Sequence, residues 1–191
     1  MSLHKHLSAR LWAPRSTLAH AFVLASASAH PNLQARLEFH DAPHRPLWRV
    51  EVQSELEKYT PLLFAIEPGS AFDAWLGSVI DALPITILFS RLSFDALWRH
   101  LRRLSKFEDD HGHYFLRLGD PASLHLYTAS LAHTPEQVAH LFDQGSIGEL
   151  FFHDPHIELS RSVQPLFEQG LDNADRDGCL LWRNVARLGD T

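Results

Sequence analysis

TPLLFAI (60–66), AFDAWLGSVIDALPITILFS (71–90), LSFDALWRHLRRL (92–104), YFLRLGDP (114–121) and TPEQVAHLFDQGSIGELFFHDP (134–155) follow one another along the chain and decide its fold class. PLLFAI and PITILF are short apolar runs, the pattern of strands buried on both faces. Between them Ser70, with Asp73 three residues on, predicts a capped helix over AFDAWLGSVIDAL. Ser93 caps the next helix, where Phe94, Leu97, Trp98, Leu101 and Leu104 recur at three- and four-residue steps and mark a core-facing stripe. Its other face carries Arg99, His100, Arg102 and Arg103, near the end where the helix dipole favours positive charge. DDHGH (109–113) is a turn and YFLRL a strand. Asp120 followed by Pro121 reads as an N-cap with proline at the first helical position, where the missing N–H costs nothing. Thr134, Pro135 and Gln137 form a capping box for a helix through Phe142 that ends at Gly145, and ELFF (149–152) is followed by a turn at HDPH.

Outward from this stretch, AFVLAS (21–26), ARLEF (35–39) and LWRVEV (47–52) have strand-like patterns broken by HPN and DAPHRP. Beyond it, two helical patterns cover 157–169 and 178–188 around the turn LDNADRDG. Strand runs interleaved with helices predict an α/β fold. The expectation is a mixed sheet with flanking helices in residues 1–155 and a helical C-terminal extension, a tail or small lobe, over 156–191.

Composition narrows the function classes. The 191 residues are 45% hydrophobic and 21% charged, the usage of an ordinary globular protein. A net charge of -6 without long acidic runs argues against nucleic acid as a partner. The single cysteine, Cys179, excludes an internal disulfide and fits a reducing compartment, so a cytoplasmic location is expected. No run approaches the ~20 apolar residues that span a bilayer, so no membrane insertion is expected, and the N-terminal segment lacks the apolar core of a signal peptide.

Candidate chemistry is sparse. Among fourteen histidines the tightest groups are His111 with His113 and His153 with His156, each beside an aspartate. Neither has a third ligand at metal-site spacing, and no HExxH or paired-cysteine motif is present. Residues 173–178 resemble the start of a calcium loop, with Asn173, Asp175 and Asp177 at alternate positions before Gly178. The twelfth position holds Asn184 instead of the bidentate glutamate. There is no nucleophile elbow, P-loop or dinucleotide fingerprint, and Cys179 reads as a structural thiol. No metal and no cofactor is expected. The enzyme alternative is a metal-dependent hydrolase using the His/Asp turns, and a calcium-binding regulatory module around Asp175 and Asp177 is the other.

In their order, the segments from Thr60 to Pro155 resemble the adaptor or effector-chaperone proteins (Tap/Tec type) of bacterial type VI secretion. This family was first described as a domain of unknown function. The resemblance covers roughly half the chain. YFLRLGDP is similar to the family's R-x-x-D-P signature, carried here by Arg117, Asp120 and Pro121, and the R-H-L-R-R-L pattern stands intact as Arg99 to Leu104, with His100 second. Ser26 and Ser28 stand where the family pattern has an aspartate after the first strand. The resemblance implies a non-enzymatic adaptor whose partners are a cognate toxin effector and the VgrG spike protein. For the signature residues the expected role is structural, since Asp120 caps the following helix. Phe167, Leu171, Trp182 and Val185 give the C-terminal patterns more apolar surface than a free tail exposes, which makes them the candidate effector-binding residues.

Overall fold

Every side chain of β4 (Ile85–Ser90) is buried, because this strand lies in the middle of an eight-stranded sheet with helices on both faces. The computed structural model describes residues 2, 3, 5, 7, 20–50, 54–166 and 175–185, the side chains of 107–109 and 113 excepted. In chain order it comprises β1 (His20–Ser26), α1 (Leu33–Phe39), β2 (His44–Pro46), β3 (Pro61–Ala65), α2 (Ala71–Val79) and β4. There follow α3 (Phe94–Leu104), β5 (Lys106–Asp109), β6 (Gly112–Phe115), α4 (Pro121–Ser130) and α5 (Pro135–Leu141). The last elements are β7 (Ile147–Asp154), β8 (Leu159–Pro165), β9 (Asp175–Asp177) and β10 (Leu180–Asn184).

The sheet order is β2-β3-β1-β4-β7-β8-β10-β9, while β5 and β6 form a separate hairpin. Every described pairing is antiparallel. The α/β class therefore holds, with a uniformly antiparallel sheet in place of a mixed one. Alternation along the strands sends Phe22, Leu88, Phe152 and Trp182 to one face, where α3, α4 and α5 bring Leu97, Leu101, Leu124 and Val138. The other face carries Val23, Phe64, Ile87 and Phe151 under Leu33 and Leu37 of α1 and Phe72 and Leu76 of α2. Each of these buried side chains contributes about 1.5–3 kcal/mol relative to exposure. No helix among the described residues is long and apolar enough to cross a membrane.

Four readings of the sequence are corrected. The segment ARLEF is the end of α1, because Leu33 and Leu37, four residues apart, are both fully buried. A window opening at Ala35 misses Leu33 and sees only alternation. The segment LWRVEV contributes no strand in its described part, 47–50, and residues 51 and 52 lie outside the described residues. The strand is instead β2 within DAPHRP, an edge position where proline is tolerated because an N–H need not be paired. The strand read over YFLRL stops at Phe115. Most consequentially, the helical patterns of the C-terminal extension are strands: β8 replaces the first and β10 the second. In β8 the residues buried at alternate positions include Ser160, Ser162 and Gln164, so polarity conceals the two-residue period. In β10 the inward pair is Leu180 and Trp182, and Asp177-Gly178, a hairpin signal, precedes it.

Candidate functional site

Residues 117–121 fasten three elements together. Asp120 adopts an extended backbone before α4, and its Oδ1 accepts from the N–H groups of Ala122 (3.1 Å) and Ser123 (3.3 Å). Its Oδ2 accepts from the Ser123 hydroxyl at 3.0 Å. Pro121 is buried at the first helical position. Arg117 approaches the same carboxylate, Nη2 to Oδ2 at 3.4 Å, while its guanidinium lies over the Tyr59 ring, 5.0 Å from the centroid. Gly119 is required by close approach, not by an unusual dihedral. A β-carbon there would stand 2.9 Å from the Ser26 nitrogen and 3.0 Å from the Ala25 carbonyl carbon and oxygen. The stretch Arg117–Pro121 thus caps α4, seats it against the end of β1 and leaves the arginine at the surface.

The second family-like piece divides by face. Arg99 is exposed on α3, whereas His100, read from the sequence as lying on the polar face, is buried. His100 Nε2–H donates to the Leu141 carbonyl at 3.1 Å, and Nδ1 stands 3.7 Å from an Asp143 carboxylate oxygen. Burial pushes its pKa below the ordinary imidazole value, outweighing the Leu141 carbonyl and Asp143, which favour the charged form. His100 therefore ties α3 to the end of α5 as a neutral group. Trp98, assigned by periodicity to the core stripe, sits half-buried at its rim.

Beside Arg117 opens a groove of about 630 Å³ lined by Trp48, Arg49, Val50, Leu56, Tyr59 and Phe115, among others. Trp48 and Phe115 pack in a tilted arrangement, their ring centroids 4.9 Å apart and their planes at 48°. Sequence reasoning missed this constellation. Its aromatics come from a loop, a single 3-10 turn and a hairpin, none of which carries a periodicity that separates an exposed ring from a core one.

The histidine pairs are placed apart from this groove in their roles. His153 is buried at the end of β7 with Nε2 3.0 Å from the Ile80 carbonyl, and burial lowers its pKa against the opposing effect of that hydrogen bond. His156 and His111 are exposed, and the side chain of His113 lies outside the described residues. Among the described residues no three His, Cys, Asp or Glu side chains gather in a way that could hold a metal ion. Asp175 and Asp177 lie exposed on the edge strand β9, with Asp177 Oδ1 3.3 Å from His133 Nε2, and Asn173 is outside the described residues. Of the candidate effector-binding residues, Trp182 and Val185 are buried, one in each core cluster. Phe167 and Leu171 fall outside the described residues.

The family model described as Domain of unknown function (DUF4123) matches residues 21–140, a span that runs from β1 into α5 and contains Arg99, His100, Arg117, Asp120 and Pro121. No curated protein and no solved structure matches the chain.

Proposed function

As the chain belongs to the DUF4123 family, matched over more than half its length, we propose that it is a non-catalytic adaptor that binds a toxin effector of type VI secretion and loads it onto the VgrG spike. The observation that carries this reading is the family match, since the family is associated with type VI effector adaptors. The geometry is in keeping with docking. The signature residues Asp120 and Pro121 are used up in capping a helix, and His100 in joining two helices. The open surface beside them is aromatic and basic. Loading takes place in the cytoplasm, before secretion.

Deleting the gene in a strain that secretes the cognate toxin tests the proposal. The toxin should fail to co-purify with the spike and should disappear from the medium. A toxin that is still stable, spike-bound and secreted without this protein would refute the adaptor role.

A further inference from the structure

We propose that the arginine–aromatic face formed by β2, the following loop and α3, together with the groove beside it, receives an acidic segment of the effector that carries an aromatic or large apolar side chain. The proposal rests on the adaptor reading and names the chemistry of the segment that the adaptor holds. Two guanidinium groups, those of Arg45 and Arg102, lie over the Trp98 ring, each 5.1 Å from its centroid, and the indole N–H donates to the Pro46 carbonyl at 3.0 Å. A hollow of about 350 Å³ adjoins them, and Arg49 lines both this hollow and the larger groove that ends at Arg117. Arg49 is common to the two, which together make up the strip.

Charge selects the occupant. The strip gathers Arg45, Arg49, Arg102 and Arg117 on a chain whose net charge is -6. Asp95 answers Arg45 at 2.9 Å and Asp120 answers Arg117 at 3.4 Å. Arg49 and Arg102 have no carboxylate partner among the described residues. Such local inversion of sign attracts and orients an acidic partner. The apolar requirement comes from the groove wall, where Phe115 and Tyr59 are exposed, at 49% and 39%, beside the buried Trp48. Tryptophan, tyrosine and arginine are the residues in which interface energy concentrates. The Trp48 indole N–H is buried and has no acceptor among the described residues. A nucleic-acid strand also suits arginines beside stacking rings. It is disfavoured because Glu55 and Glu57 line the neighbouring hollow and would repel a continuous phosphate backbone.

The test uses the full chain and fluorescence anisotropy with three labelled twelve-residue peptides and one single-stranded oligonucleotide. The first peptide alternates Glu or Asp with Phe and Trp, the second has Lys for each acid, and the third has Ser for each aromatic residue. The first should bind at least about tenfold more tightly than the others and more weakly as salt is raised. The double variant R49E/R102E and, separately, F115S should each abolish that preference while keeping the parental melting temperature and circular dichroism. Equal binding of all three peptides, tighter binding of the oligonucleotide, or a preference that survives R49E/R102E would overturn the proposal. The adaptor reading fails by a different result. If the unaltered chain assembles with no toxin, that reading is lost; if R49E/R102E still assembles with toxin and spike, the docking strip alone is lost.

Discussion

Both carboxylate oxygens of Asp120 are occupied by the first turn of α4, whereas Arg117, more than half exposed, reaches one of them at 3.4 Å. The cap should therefore outweigh the ion pair. Asp120→Ala is expected to lower unfolding stability by about 0.5–2 kcal/mol, and Arg117→Ala by no more than about 1 kcal/mol, as for an exposed pair. Urea titrations of the two variants check the ordering; equal losses would mean that the pair carries the motif. Gly119→Ala should cost about 1–3 kcal/mol, since the added carbon meets backbone of β1 that cannot give way like a side chain. The cap was legible because Asp-Pro places donor geometry and carboxylate next to each other in sequence. The need for glycine was not, because what it avoids is Ser26, distant along the chain and adjacent only after folding.

Similar punctuation does not guarantee similar capping between helices. Ser70 Oγ accepts from the Asp73 N–H at 3.0 Å, and the Asp73 carboxylate accepts from the Gly69 N–H at 3.0 Å. Ser93 Oγ accepts from the Ala96 N–H at 3.3 Å. Thr134, read as the start of a capping box, makes no side-chain cap bond and begins α5 through Pro135 alone. Ser70→Ala should thus cost about 1 kcal/mol and Thr134→Ala almost nothing, a contrast that thermal melts resolve. Helix starts were readable because capping is local chemistry. The C-terminal strands were not, because β8 buries serine and glutamine where a period-two reading looks for apolar residues. The β9–β10 turn supplies a direct check on that correction. Gly178 has φ +54°, and a β-carbon there would run into the Ala132 carbonyl oxygen. Gly178→Ala should be more harmful than Gly119→Ala in the same melts, and an unaffected variant would put the hairpin in doubt.

Across the whole molecule, His100, His125 and His153 share one electrostatic condition: burial lowers the pKa of each below about 6.5, the unfolded value. The unfolded chain then binds more protons than the folded one just below that pH. The associated stability is fully present above about pH 6.5 and declines as pH falls toward the folded-state values. Denaturant midpoints should fall between pH 7.5 and pH 5.5, and His153→Gln should flatten the slope whatever it does to the midpoint at neutral pH. A midpoint independent of pH across that range would contradict the buried neutral histidines. The seam between β4 and β7 has a consequence of another kind. Four strands of the sheet precede it in the chain and four follow, and the family-matched residues 21–140 end before β7 begins. On the ribosome, at about 5–20 residues per second, β4 emerges several seconds before the strand that will cover its edge. Until Ile147–Asp154 is made, the nascent half-sheet presents an edge of unpaired backbone N–H and C=O groups flanked by Ile85, Ile87, Leu88 and Phe89, so a protein proposed to carry a toxin has need of shelter itself during its own synthesis.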